Sequence, residues 1–133
     1  MEVVKDYPPN YKEICDVFAI KNRGSIVFTY GDKLYNPDGE NIADHLMVHE
    51  ETHRKQQSQT TPQEWWRQYL VDEKFRLEQE LLAYRLQYRF MKTKGYPRNY
   101  RRDVLNKIAK DLSGPMYGHI VSRNEAKNLI SGE

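Results

Sequence analysis

The chain has 133 residues, of which 30% are charged and 38% are hydrophobic, and its formal net charge is +2. This length excludes two separate cores and predicts a single domain over residues 1–133. No apolar run approaches the roughly 18 residues that a membrane span needs, and the first residues lack the charged-then-apolar layout of a signal peptide. Cys15 is the only cysteine, so an intramolecular disulfide is excluded, and we expect a cytoplasmic protein without membrane contact.

Charge is unevenly distributed along the chain. Residues 1–73 carry 8 Lys and Arg against 13 Asp and Glu, a net charge of −5, whereas residues 74–110 carry 11 against 3, a net charge of +8. Residues 111–133 carry 2 against 3, a net charge of −1. The basic middle section is either a solvated helix face or a surface that attracts phosphates or an acidic partner. Nucleic acid is therefore the less favoured of the partners that we consider.

The N-terminal segment predicts an irregular arm and one short helix. Met1–Pro9 shows no periodic pattern. Asn10 is a plausible N-cap, with Glu13 three residues later completing a box-like cap, for a helix from Tyr11 to about Val17. Asn22-Arg23-Gly24 then breaks the chain.

A β-hairpin is predicted next. Ser25–Tyr30 is β-branched and aromatic, Gly31-Asp32 fits a tight turn, and Lys33–Tyr35 returns as the second strand. Asn36-Pro37-Asp38-Gly39 has strong loop chemistry. The hairpin leaves strand edges that could hold an extended peptide by strand addition.

The remaining sequence predicts mostly helix. Asn41 is a candidate cap for a helix from Ile42 to about Gln57. Thr61-Pro62-Gln63-Glu64 is a strong helix start, and helix continues to Lys94, with a restart capped by Asp72 after a kink near Val71.

The last third begins after the helix-stopping Gly95 and Pro97. A helix is predicted from Asn99 or Tyr100 to Ser113, then an extended link over Met116–Val121, and a final helix to about Ile130 that opens with a capping box at Ser122. The fold class is therefore α+β, mainly α, with a long central helix.

His49-Glu50-Glu51-Thr52-His53 is the motif that carries chemistry. Histidines four apart lie on one side of a helix, where both rings can bind one metal ion. The intervening Glu50 flanks the pair and can take a proton from a metal-activated water. His45 lies one turn earlier, but it would be about 12 Å from His53 along the axis, so we expect it either to support the site or to have no role there, rather than to bind metal.

A catalytic zinc ion needs a third protein ligand. On the downstream helix, Glu73 and Glu80 both fall within an apolar stripe, whereas Glu78 faces the wet side. Because a buried carboxylate is costly unless it is paired or metal-bound, either Glu80 or Glu73 is the candidate. A second apolar face, with Phe75, Leu82, Leu86 and Phe90, predicts that this helix is central. Trp65 and Trp66 are expected in the core and at its rim.

This combination of motifs resembles the gluzincin class of zinc metallopeptidases. The segment Glu80-Leu81-Leu82-Ala83-Tyr84 is similar to the one that supplies the third ligand in that class. The resemblance implies a minimal zincin-like fold, Zn²⁺ bound by His49, His53 and Glu80, and Glu50 as general base. The sequence departs from the class at Glu51, where an uncharged residue is usual, and at Tyr84, where many relatives have an Asp that orients a histidine.

The wider layout is also similar to that of small proteins encoded by tailed phages and prophages, which would place the protein in the host cytoplasm. The similar segments are Tyr30-Gly31-Asp32, Asn36-Pro37, the histidine motif with Gln56-Gln57, Trp65-Trp66 and 113–118.

Three further residues are candidates for the catalytic site. Tyr84 lies one turn from Glu80 and is either a core aromatic or a hydrogen-bond donor to substrate. Tyr117 and His119 lie in a non-helical link, where they are either surface residues or groups that stabilise an oxyanion.

The sequence thus predicts a zinc-dependent metallohydrolase that cleaves a peptide or protein substrate. The alternatives are a non-catalytic zinc domain that binds nucleic acid or a protein partner through its basic section, and a metal-dependent hydrolase acting on other substrates. The oligomeric state is not predicted.

Overall fold

The computed structural model describes residues 1–20 and 26–132. This part of the chain folds as α+β, mainly α, as expected from the sequence. The strands are β1 (Glu2–Val4), β2 (Phe28–Tyr30) and β3 (Lys33–Tyr35). The helices are α1 (Tyr11–Val17), α2 (Asp44–Ser58), α3 (Pro62–Val71), α4 (Glu73–Thr93), α5 (Arg98–Leu112) and α6 (Arg123–Ser131), with a 3₁₀ turn at Pro115–Tyr117. None of these helices has the length and apolar content that a bilayer crossing requires.

The sheet has the order β1-β3-β2 within the described residues. The predicted hairpin is confirmed: β2 and β3 are antiparallel, with Phe28 opposite Tyr35. The expectation that Met1–Pro9 is entirely irregular is wrong, because Glu2–Val4 pairs in parallel with β3. A strand of three residues is too short to show an alternating pattern, so its sequence gave no signal. Residues 21–25, with the predicted break and the start of the first strand, lie outside the described part.

Side chains from α2 and α3 hold the hairpin. The Gln57 side chain accepts a hydrogen bond from the Gly31 backbone N–H at 2.7 Å and donates to the Thr29 carbonyl at 2.8 Å. The indole N–H of Trp66 donates to the same carbonyl at 2.9 Å. The prediction that a peptide could add to Lys33–Tyr35 is wrong, because β3 lies between β1 and β2 and both of its edges are paired. On β2, the Thr29 carbonyl already accepts hydrogen bonds from Gln57 and Trp66.

Helix starts with a strong capping sequence lie where they were predicted. The side chains of Thr61, Asp72 and Ser122 each accept the expected backbone N–H, and Ser122 forms a complete capping box. Asn10 occupies the N-cap position of α1 without a side-chain cap bond. Asn41 is not a cap: α2 begins at Asp44 after Ala43.

A loop with its own side-chain contact precedes α2. The Asn36 side-chain amide donates to the Glu40 carbonyl at 2.7 Å, which closes this loop on itself. Residues 40–43 lie between this contact and the first residue of α2.

The prediction of an extended link after α5 is wrong, because the chain turns there. Pro115–Tyr117 forms a 3₁₀ turn, and Gly118 and His119 follow with φ of 71° and 52°. Two successive left-handed residues reverse the chain, which turns Tyr117 inward against α4.

Helix α4 is central, as predicted, because α2, α3, α5 and α6 all pack against it. An aliphatic core forms where α4 packs against α5 and α6, and it includes Leu77, Ile108, Ala109, Leu112, Ala126 and Ile130. An aromatic core lies near the hairpin and includes Ile14, Phe28, Trp65, Trp66 and Tyr69. Leu82, which the sequence assigned to a second apolar face, is 45% exposed.

Candidate metal centre

Helices α2 and α4 bring three potential ligand atoms together. His49 and His53 lie one turn apart on α2, and their Nε2 atoms are 3.0 Å apart. From α4, the Oε1 atom of Glu80 lies 3.0 Å from Nε2 of His49 and 2.8 Å from Nε2 of His53. All three side chains are buried. The described residues thus contain a buried His-His-Glu group that can hold a metal ion.

Two glutamine side chains fix the tautomers of these histidines. Oε1 of Gln87 lies 3.0 Å from Nδ1 of His49, and Oε1 of Gln56 lies 2.8 Å from Nδ1 of His53. A carbonyl oxygen accepts, so each Nδ1 carries a hydrogen, and each Nε2 is left as the atom that faces Glu80 and that can bind a metal once it carries no proton. This is the tautomer that a metal-bound histidine requires.

The resulting cluster needs a cation. Two imidazole lone pairs and one carboxylate oxygen face each other within 3.0 Å, and only a shared proton or metal ion makes that arrangement favourable. Burial disfavours a protonated His53, but the Glu80 carboxylate, with smaller contributions from Glu50 and Gln56, raises the pKa of His53 to about 9. Burial likewise opposes ionisation of Glu80, yet the two histidines hold its pKa well below the usual range. The donor set suits a divalent metal.

The second oxygen of Glu80 is also bound. The Tyr69 hydroxyl of α3 donates to Oε2 of Glu80 at 2.6 Å. Tyr69 reaches Glu80 because the chain breaks at Asp72 between α3 and α4. The buried Arg76 guanidinium stabilises this break by donating to the Tyr69 and Leu70 carbonyls, at 2.7 and 2.9 Å, and to a carbonyl of the 3₁₀ turn, that of Met116.

Glu50 lies beside the ligand group. It is 6% exposed, and its Oε2 atom has no hydrogen-bond partner among the described residues. Burial raises the pKa of Glu50 above its ordinary value. A carboxylate with a raised pKa and an unused oxygen is suited to accept and return a proton near neutral pH.

A cavity of about 630 Å³ opens onto these residues. Tyr84 and Tyr117 line it, and the Tyr84 ring centroid lies 4.3 Å from that of His49. Burial, and then the Glu80 carboxylate, raise the pKa of both tyrosines, so their hydroxyls remain donors. Much of the remaining wall is apolar and includes Ile14, Phe18, Ile20, Ile26, Phe28, Leu46, Trp65 and Met116.

The structure separates two other candidates from this group. Glu73 is exposed beside Gly118 and does not belong to the ligand cluster, so of the two carboxylates only Glu80 meets the histidines. His119 is exposed, and its Nδ1 lies 3.1 Å from the Ser113 carbonyl. Its left-handed backbone belongs to the reversal after the 3₁₀ turn, and the cavity wall does not include it.

The charge of Glu51, where the gluzincin motif usually has an uncharged residue, is paired outside the cavity. The Glu51 side chain forms a close ion pair with Arg54, whose guanidinium also lies 3.8 Å from Asp32. Glu51 is half-buried and is not part of the cavity wall.

Sequence reasoning missed Tyr69 and Gln87 as parts of the site. Gln87 carried a usable signal, because it lies seven residues after Glu80 and therefore on the same side of the helix. Tyr69 carried none, since its contact depends on the angle between α3 and α4.

Comparisons with protein-family models, with curated proteins and with solved structures find no match for this chain.

Proposed function

We propose that this protein is a zinc-dependent metallohydrolase of the gluzincin type and that its substrates are peptides. The observation that carries the proposal is the position of Glu50, a buried carboxylate with an oxygen that has no partner among the described residues and that lines the same cavity as the His-His-Glu group. Three protein ligands are typical of catalytic zinc, which keeps a position for water, whereas structural zinc usually has four. The group has three members within the described residues.

In the proposed reaction, His49, His53 and Glu80 hold the metal. When bound, zinc would lower the pKa of a water molecule to about 7 and polarise the substrate carbonyl. Glu50 accepts a proton from the attacking water as the new C–O bond forms. It then donates this proton to the amide nitrogen as the C–N bond breaks, which leaves a carboxylic acid and an amine.

The two tyrosines of the cavity stabilise the tetrahedral intermediate in this proposal. Their hydroxyls remain protonated and can donate to the oxygen that becomes negative. The apolar part of the wall favours a peptide with an apolar side chain near the cleaved bond.

The test compares Glu50→Gln with Glu51→Gln in zinc content and in cleavage of a fluorescence-quenched peptide library. We expect one zinc per chain in both variants, with cleavage lowered by about 10²–10⁴-fold only in Glu50→Gln, because a general base contributes about that much. Glu51 is the matched control, since it is adjacent, of equal charge and paired with Arg54.

Unchanged cleavage in Glu50→Gln would contradict the proposed role of Glu50. A wild-type protein that unfolds on chelation but cleaves no peptide would favour the non-catalytic zinc domain instead.

A further inference from the structure

A chain of hydrogen bonds leads from His49 away from the cavity. Oε1 of Gln87 faces Nδ1 of His49 at 3.0 Å, and Nε2 of Gln87 faces Nδ1 of His45 at 2.7 Å. Nε2 of His45 in turn lies 3.1 Å from the Tyr100 hydroxyl on α5. His45 and Gln87 are buried, whereas Tyr100 is 44% exposed.

The direction of the Gln87 amide decides whether His49 can bind a metal. With the carbonyl oxygen towards His49, Nδ1 carries the hydrogen and Nε2 is free. With the NH₂ group there instead, Nδ1 would have to accept, and the hydrogen would move to Nε2, the atom that faces Glu80. The two ends of a glutamine amide have nearly the same shape, so packing alone does not select between them.

His45 selects between the two ends whenever its Nδ1 carries no hydrogen. Its Nδ1 accepts from the Gln87 NH₂ group, which requires a neutral ring with its hydrogen on Nε2, the atom that faces Tyr100. Burial lowers the pKa of His45, in agreement with a neutral ring. Its ring also packs edge-on against Tyr96 and Tyr100, with centroids 5.7 and 5.9 Å away, which limits its rotation.

The other ligand histidine has a different arrangement. Gln56 contacts Nδ1 of His53 through its oxygen, and its NH₂ group donates to the main-chain carbonyl of Gln79 at 3.0 Å. A main-chain carbonyl can only accept, so the direction of Gln56 is set permanently. The direction of Gln87 depends on a side chain that can be substituted.

We infer that Gln87 and His45 are positioning residues: Gln87 holds His49 in its metal-binding tautomer, and His45 sets the direction of the Gln87 amide. This inference rests on the proposed metal site. It also explains how the chain manages without the orienting Asp that Tyr84 replaces, because Gln87 occupies the same side of α4 one turn further on.

The test measures zinc affinity by competition with a chromophoric chelator in a set of variants. Gln87→Leu should weaken binding by about 10–100-fold, the usual effect of losing such a partner. His45→Leu should weaken it by about tenfold or more, whereas His45→Asn should retain near wild-type affinity because the Asn oxygen can accept from Gln87.

The decisive comparison measures the effect of His45→Leu both in the wild-type protein and in the Gln87→Glu variant. Both carboxylate oxygens accept, so the direction of the side chain no longer matters and His45→Leu should have little further effect. An equal loss of affinity in both backgrounds would show that His45 acts only by packing and would overturn the inference. His119→Leu removes an exposed histidine as a control, and circular dichroism checks that each variant folds.

A second measurement separates this inference from the proposed function. In zinc-free wild-type protein, ¹⁵N-correlated NMR should detect a slowly exchanging proton on Nδ1 of His49, and this proton should lose protection in Gln87→Leu. A wild-type protein that takes up no zinc would defeat the proposed function, whereas an Nδ1 of His49 without that proton would defeat the positioning role. Wild-type zinc affinity in Gln87→Leu would defeat the positioning role alone.

Discussion

The two sides of the central helix are stabilised in opposite ways. Helix α2, on one side, buries seven residues, and all of them are polar or charged: His45, His49, Glu50, Thr52, His53, Gln56 and Gln57. Helices α5 and α6, on the other side, bury only apolar residues: Ile108, Ala109, Leu112, Ala126 and Ile130.

This difference separates a region stabilised by apolar burial from a region whose buried groups need polar partners or a bound ion. Each large side chain buried in the aliphatic core contributes about 1.5–3 kcal/mol by leaving water. Burial of a polar group is costly unless each polar atom finds a partner. On α2 the partners are mostly found, but Glu50 keeps one oxygen without a partner among the described residues. We therefore expect changes on the two sides to separate metal binding from stability.

The largest effect is expected from Glu80→Ala, which removes the carboxylate shared by both histidines. Zinc content should fall from one per chain to none, because two histidines do not provide the three ligands of such a site. Elemental analysis after gel filtration measures this. Glu78→Ala, an exposed position two residues earlier on the same helix, is the matched control. One zinc retained by Glu80→Ala would show that another residue completes the ligand set.

Leu112→Ala should lower stability without changing zinc content. Leu112 is 0% exposed in the aliphatic core, so the free energy of unfolding should fall by about 2–5 kcal/mol. The folded variant should still bind one zinc. Urea unfolding gives the first value, and Leu129→Ala, at a 45% exposed position, should change it by about 0.5 kcal/mol or less. Loss of zinc from folded Leu112→Ala would mean that the two sides are coupled.

Glu50→Met tests how much the buried Glu50 carboxylate lowers the free energy of unfolding. Replacing a buried carboxylate that lacks one partner by a side chain of similar shape should raise the free energy of unfolding of the zinc-free protein by about 1–3 kcal/mol. Cleavage should be lost at the same time. Glu51→Met, which breaks the ion pair with Arg54, should bring no gain. A less stable Glu50→Met protein would indicate that Glu50 contributes to the fold.

The effect that is smallest for each step of the measurement concerns pH. Since the pKa of His53 is raised to about 9, its proton must leave before zinc binds. Zinc affinity should therefore rise about tenfold, or about 1.4 kcal/mol, per pH unit up to about 9 and then level off. The stabilisation of the zinc-free protein by the His53–Glu80 pair has the opposite trend: it is complete below about pH 6.5 and is lost as pH rises through about 9.

Chelator competition from pH 6.5 to 9.5 measures this slope, and calorimetry in buffers of different ionisation enthalpy counts the released protons. A flat profile would mean that His53 is already neutral in the zinc-free protein.

Local chemistry explains which parts of the fold could be predicted. Thr61, Asp72 and Ser122 begin helices through contacts within three residues, and the sequence identifies such contacts directly. Asn41 failed as a cap: Asn36 donates to the Glu40 carbonyl within the preceding loop, and α2 begins only at Asp44. The strand Glu2–Val4 depends on a distant partner, β3, so a local pattern cannot predict it.

In the candidate site, too, the local spacing was predictable from the sequence and the contacts between helices were not. The spacing of His49 and His53 fixes their common side on α2, but helical geometry left Glu73 and Glu80 equivalent. Only the packing of α4 on α2 distinguishes them, since it buries Glu80 and leaves Glu73 exposed. The same packing gives Gln87 its role.

The interruption at Asp72 has a consequence for any attempt to redesign this protein. In one continuous rod, Tyr69 and Glu80 would stand about 16 Å apart along the axis, yet they are hydrogen-bonded at 2.6 Å. The angle between α3 and α4 at Asp72 therefore brings the Tyr69 hydroxyl to the Glu80 carboxylate. Straightening it, for example with Asp72→Ala and a neighbouring helix former, would separate Tyr69 from Glu80 while leaving His49, His53 and Glu80 unchanged in the sequence.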